Sequence, residues 1–345
     1  MIAEADMAFC RETIRHGSLS FHAASRLLPA RVRDPALALY AFCRLADDAV
    51  DLQADKHTAV RLLHRRLDLA YAGRPRDAAI DRVFAAVIDE FALPRALPEA
   101  LLEGLEWDAE GRRYATFPDL CAYGARVASS VGAMMCVLMR VRDADTLARA
   151  CDLGVAMQLT NIARDVGEDA RAGRIYLPLD WLAAEGVDPD AFLADPRATP
   201  AIRRIVRRLL AEADRLYLRS EAGIPALPLA ARTGIYAARH IYAGIGGAIR
   251  RDGCDSVAHR ARTNAMQKAA WMGLAASRSV ASLVTPRSAV LYARPMAETA
   301  FLVDATAQLG GATGDWGQGR AGSIVGVFAQ LEAHDRHRAT QRGGA

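Results

Sequence analysis

Apolar residues recur at three- and four-residue spacings along most of the 345-residue chain, and strand-like alternation is hard to find. The pattern predicts an all-α protein. A first amphipathic helix runs to Arg15, and Ser20 is placed to cap a short one through Leu28. Asp34-Pro35 reads as an N-cap followed by a first-turn proline, opening a helix through Tyr40 to Asp51. Helical patterns follow at 57–72 and 77–92, then one carrying Leu101, Leu105 and Trp107. Pro118-Asp119 opens a long helix through Tyr123 and Gly132, and Asp143 is placed to cap the next. Later helices are predicted at 200–222, 228–251 and 255–284, with Pro189, Pro196 and Pro200 breaking the region before them. Gly310 to Gly322 reads as a flexible connector, lacking the lysine pattern of a phosphate loop, and the tail after it is predicted to be disordered. Gly244 to Gly247 falls inside a helical pattern, which indicates close helix packing. The division expected is a main domain over residues 1–285 and a partly helical extension over 286–345.

Two polar stripes interrupt this apolar pattern. In QLTNIARDVGED, Gln158, Asn161, Asp165 and Asp169 stand one above another at steps of three, four and four. Arg164 and Glu168 flank them. Acids one turn apart repel by a few tenths of a kcal/mol, and Asp is a poor helix former. Alone, the stripe reads first as a solvated acidic face. Upstream, YAFCRLADDAVD puts Tyr40, Arg44, Asp47 or Asp48, and Asp51 on one helical face. Two acidic helices facing each other across a cavity would form a carboxylate cage that needs divalent cations. Mg²⁺ (or Mn²⁺) prefers a few carboxylates plus phosphate oxygens, and arginines suit the remaining phosphate charge. A diphosphate ester whose organic part tolerates becoming a carbocation is the ligand this chemistry suggests; an allylic isoprenoid diphosphate fits, its tail in an apolar bundle interior.

Composition narrows the classes. Hydrophobic residues make up 52% and the net charge is a modest +4, with basic residues scattered rather than set beside aromatics, so nucleic acid is not indicated. The six cysteines form no CxxC pair and read as reduced, buried thiols. The N-terminus does not resemble a secretory signal. No run of eighteen uncharged apolar residues appears; the best stretch, Ala269 to Val284, is broken by Arg278. The chain is therefore expected to lie in the cytoplasm without spanning a membrane.

With GSLSF (17–21), YAFCRLADDAVD (40–51), YGARVASSVG (123–132), QLTNIARDVGED (158–169) and RIYLP (174–178) in that order, the chain resembles the squalene/phytoene synthase family over residues 7 to 285. The wording is nearest the bacterial phytoene-forming branch. The resemblance implies a single-domain isoprenoid-synthase-type helical bundle around a central apolar cavity. It implies that Asp47, Asp48, Asp51, Asp165 and Asp169, with Asn161, hold Mg²⁺. Arg44, Arg164 and Arg174 would meet diphosphate, with Gln158 and Asn161 lining the same site. Ser18 and Ser20 would belong to the loop that closes over phosphate, and Tyr40, Tyr123 and Tyr176 would stand near the reacting carbons. Val127, Ala128, Gly132 and Tyr242 would line the substrate site. Arg260 would supply the arginine that the family offers to phosphate downstream of Tyr242. One departure is Ser129, where the family often has glycine; it is expected to alter the pocket wall.

The implied reaction joins two geranylgeranyl diphosphates head to head through prephytoene diphosphate to phytoene, with no NADPH. Released diphosphate and a tyrosine both stay open as proton acceptor. Squalene or dehydrosqualene synthesis from farnesyl diphosphate is the alternative; the small residues Ala128, Ser129, Gly132, Ala133 and Ala156 favour the longer tail. A head-to-tail elongase or terpene cyclase is disfavoured by NIARDVGED. A non-catalytic scaffold would have lost its carboxylates, and all five are present. A hydrocarbon product implies peripheral contact with the inner membrane face.

Overall fold

The computed structural model describes residues 4–17, 30–52 and 55–307, with side-chain detail at 4–12, 31–46 and 55–307. Ser18, Ser20, the short helix expected through Leu28, the Gly310–Gly322 loop and the tail lie outside the described residues. So do the side chains of Asp47, Asp48 and Asp51.

No strand occurs among the described residues. The helices are α1 (Glu4–Gly17), α2 (Ala30–Leu52), α3 (Lys56–Tyr71), α4 (Ala79–Phe91), α5 (Ala96–Ala109), α6 (Phe117–Gly124), α7 (Ser130–Leu138) and α8 (Ala144–Arg171). They continue as α9 (Leu179–Ala184), α10 (Pro189–Ala194), α11 (Pro200–Glu221), α12 (Leu229–Arg251), α13 (Ala265–Ala281) and α14 (Ala300–Ala307). Several starts are written in side chains that accept orphan backbone N–H groups. Asp55 accepts from Thr58 N at 3.0 Å, Asp143 from Thr146 N at 2.9 Å and Thr199 from Ile202 N at 3.3 Å. Thr116 and Asp119 form a capping box around Pro118.

Two starts differ from the sequence expectation. α2 begins at Ala30, four residues before Asp34, and contains Pro35. Asp34 does not cap; it pairs with Arg11 of α1 at 2.9 Å and with Arg33 at 3.4 Å. α13 begins at Ala265, not 255, because Asn264 and Gln267 form a capping box there, while Asp255 caps a local turn through Ala258 N at 2.9 Å.

α8 is the central element. Its 28 residues span ~42 Å. Leu147, Ala148 and Cys151 join one apolar cluster with α1–α5 and α7; Val155, Leu159, Ile162, Ala163 and Val166 join a second with α6 and α9–α12. α6 and α7 are one continuous helical stretch interrupted by a π-helical turn at Ala125–Ser129. Gly154 of α8 meets this turn so closely that a Cβ there would lie 2.6 Å from Ser129 backbone. Ser129 is buried in that contact and donates to the Cys151 carbonyl at 2.7 Å. By length and composition the Phe117–Leu138 stretch could cross a membrane, but 61% of its apolar window is buried inside the protein, as for a core helix. Gly244 packs as its neighbourhood predicted: a Cβ there would fall 2.1 Å from the Trp271 ring of α13.

The segment beyond 285 is tied to α8 through residue 307. Arg149, fully buried, donates to the carbonyls of Val290 at 2.5 Å and Ala293 at 3.0 Å and pairs with buried Asp152 at 2.7 Å. Gly223 makes room for it, since a Cβ there would stand 2.4 Å from that of Arg149.

Candidate active site

A cavity of about 400 Å³ lies among α2, the π turn, α7, α8, α11 and α12, within the range of roughly 300–1,000 Å³ usual for small-molecule sites. Its longest wall is one face of α8, from Thr146 and Arg149 through Leu153 and Met157 to Gln158 and Asn161. The fifteen steps from Thr146 to Asn161 correspond to ~22 Å of trough. Tyr40 and Cys43 of α2, and Ile241 and Tyr242 of α12, complete the Asn161-containing wall set. Beyond Asn161 the same face of α8 carries Asp165 and Asp169, one and two turns further on. Beyond Tyr40, the α2 backbone carries half-buried Arg44 and then positions 47, 48 and 51 on the Tyr40 face. Each helix thus lines the cavity and then turns acidic.

Asp165 sits between two arginines. Arg164 Nε and Nη2 lie 2.8 and 2.5 Å from its oxygens; Arg260 Nε lies 2.8 Å away and also 3.2 Å from Glu168. Burial works to raise the Asp165 carboxyl, but the two guanidinium groups outweigh it and hold it below the ordinary value. Arg260 comes from the loop after α12. That loop reaches α8 at Gly167, whose N–H donates to the Ser256 carbonyl at 2.9 Å; a Cβ at Gly167 would stand 2.4 Å from the Val257 oxygen. The glycine inside the acidic motif is therefore what lets the loop deliver Arg260.

Asp169 is in the opposite condition. Burial, with the charges of Asp165, Glu168 and Asp108, pushes its carboxyl up to about 7, against the opposing pull of Arg174. A carboxylate so crowded by acids is a ready ligand for a cation.

Beside it, Tyr123 and Tyr176 both donate to Asp108, at 2.8 Å each, with rings stacked 5.3 Å apart. Tyr114 stacks on Tyr176 at 6.1 Å and lies tilted against Tyr123 at 5.2 Å. Burial first, then the Asp108 charge, raises both hydroxyls well above their usual value, so they remain proton donors. Asp108 escaped the sequence reading. Its one signal was an acid near the C-terminal end of α5, where the helix dipole disfavours negative charge.

Val127, Ala128 and Gly132 line the cavity, as do Tyr40, Gln158, Asn161 and Tyr242. Ser129, Ala133 and Ala156 do not. They are buried in helix–helix contacts, so Ser129 bears on how α8 packs rather than on the pocket wall, correcting the sequence expectation. Among the described residues no group of three acid, histidine or cysteine side chains is arranged to hold a metal by itself, so Asp165 and Asp169 would need ligands from elsewhere.

A profile of the squalene/phytoene synthase family matches residues 14–269. The phytoene synthase of Cereibacter sphaeroides is 60% identical, over 100% of this chain and 98% of its own length. That of Rhodobacter capsulatus is 56% identical, over 97% and 98%. Among solved structures, a dehydrosqualene synthase in complex with a ligand superposes with a TM-score of 0.74 at 31% identity, covering 81% of this chain and 98% of that one. The α-helical fold, an apolar cavity walled by α8 and these matches agree: the chain belongs to the squalene/phytoene synthase family.

Proposed function

We propose that the protein is a phytoene synthase, a prenyltransferase joining two geranylgeranyl diphosphates head to head in carotenoid biosynthesis. The observation that carries the reading is the single face of α8, apolar along the cavity and acidic immediately beyond it. A long hydrocarbon with a diphosphate head matches both halves. The 60% and 56% identities to proteins named phytoene synthase support the longer substrate over farnesyl diphosphate.

In this reading Mg²⁺ would be held by Asp165 and Asp169 together with the Asp47, Asp48 and Asp51 run, and would supply Lewis-acid stabilisation of departing diphosphate. Support comes from Asp169, where burial and the neighbouring acids outweigh the pull of Arg174. Arg164 and Arg260, both paired with Asp165, would be suited to bidentate contact with phosphate oxygens. The apolar walls exclude water from the allylic cation, which would otherwise be captured as an alcohol. Tyr123 and Tyr176, fixed by Asp108, hold ring faces and hydroxyls in one orientation beside that site. The product, a C40 hydrocarbon, must pass into lipid, so the protein is proposed to work in the cytoplasm against the inner membrane face.

The test is to offer farnesyl and geranylgeranyl diphosphate together with Mg²⁺ and identify the hydrocarbon. Phytoene should dominate; a C30 product overturns the chain-length assignment, and no diphosphate release overturns catalysis altogether.

A further inference from the structure

The apolar run that stood out in the sequence, Ala269 to Val284, lies on the outside of the protein. α13 packs one side against α12 through Trp271, Met272, Ala275 and Ser279. Its opposite side carries Met266, Ala270, Gly273, Ser277 and Val280, with no charged residue among them. Met266 is 78% exposed and Val280 67%, and Leu283 and Val284 extend the surface past the helix end at 59% and 86%. A solvated helix face ordinarily carries charge, and an uncharged face that exposes Met266, Val280, Leu283 and Val284 marks a contact with something else.

Charge says what that is. Residues 256–297 contain no Asp or Glu, yet include Arg262, Lys268, Arg278, Arg287 and Arg294 as well as Arg260. Arg260 is committed to Asp165, but none of the other five makes an ion pair among the described residues. An uncharged outward face flanked by Arg278 on the helix and Arg287 just beyond it, neither in an ion pair among the described residues, is the pattern of a helix lying in a membrane interface, not of one covered by a second copy, which would bring like charges together. We propose that α13 and the turn after it dock the protein onto an anionic lipid bilayer, Met266, Val280, Leu283 and Val284 entering the acyl boundary and Arg278 and Arg287 meeting headgroup phosphates. α12, which packs on α13, also walls the cavity through Ile235, Ala238 and Ile241. The inference deepens the proposed membrane association, and its test does not need turnover.

Full-length protein would be sedimented with vesicles of phosphatidylcholine alone or with added phosphatidylglycerol, without substrate. Binding should need the anionic lipid. Arg278→Glu and Arg287→Glu should each weaken it by roughly fivefold or more, and Met266→Glu with Val280→Glu should abolish it. Leu218→Glu, on exposed α11 surface, should leave it unchanged. Phytoene formation in detergent should be equal in all of these proteins, which separates docking from catalysis. Wild-type protein that ignores anionic vesicles, or α13 variants that bind like wild type, overturns the proposal. So does a wild-type dimer that Met266→Glu converts to monomer with vesicle binding intact.

Discussion

Asp169→Asn should make the metal-free protein more stable while removing activity. Burial and the neighbouring acids raise the Asp169 carboxyl from 3.8 to about 7, an unfavourable interaction of roughly 4 kcal/mol for the charged form. The residue is only partly buried, and solvent screening reduces this to roughly 2–3 kcal/mol. The sign follows from proton counting. Between about pH 4 and 7 the native state binds more protons at this position than the unfolded state, so stability falls as pH rises through that window. Asparagine has the same shape and no charge to desolvate, so its advantage should be near zero at about pH 4, grow through the window and level off above about pH 7. With an unfolding entropy of ~2 cal/mol/K per residue, the variant should melt roughly 4 °C higher at alkaline pH in a chelating buffer. Added Mg²⁺ should raise the wild-type melting temperature and leave the variant's nearly unmoved. Thermal melts at several pH values, with chelator or Mg²⁺, decide it. Equal melting at about pH 8 in chelator, or a gap that does not change with pH, refutes the account of Asp169 as an acid destabilised by burial and its acidic neighbours.

Other perturbations test the rest of the site. Asp108→Leu strands two tyrosine hydroxyls and should cost roughly 2–6 kcal/mol by urea unfolding, with turnover falling further than stability explains. Gly167→Ala gains helix propensity of about 1 kcal/mol but forces the Val257 carbonyl and the Arg260 loop outward; diphosphate affinity, read as KM, should weaken while the fold persists. Ala128→Phe places a ring in the trough and should shift product towards shorter hydrocarbons in a mixed-substrate assay. Arg149→Leu leaves fully buried Asp152 with only Arg219 at 3.1 Å; a loss of roughly 3–5 kcal/mol is expected on denaturant titration, and a neutral result would mean that water reaches Asp152.

Much of this protein was legible in its sequence. Helical periodicity identified the fold class, and Asp55, Asp143 and Thr199 show why the boundaries they cap are local events: a side chain reaches a backbone N–H three residues on. The 158–169 stripe was legible for the same reason, since residues three and four apart on a helix are neighbours by geometry. The sequence misread Asp34-Pro35 and the start of α13. At Asp34 a tertiary partner, Arg11, took the carboxylate that a local rule would assign to a cap.

What only the tertiary structure decided has a common cause: contacts between residues far apart in the chain leave no periodic trace. Whether Ala128, Ser129 or Ala133 faces the cavity depends on the π turn, which rotates the register of α6 into α7 by a residue's worth of angle. Asp108 becomes part of the site only because Tyr123 and Tyr176 converge on it from two other segments. Gly167 matters because a loop some ninety residues later needs the space of its missing side chain, and Arg260 arrives with that loop. The sequence alone determined the helices, the two acidic runs and the family. The depth and lining of the cavity, the opposite electrostatic states of Asp165 and Asp169, and the exposed apolar face of α13 came from packing, which is set by which helix faces meet and not by any spacing within one of them.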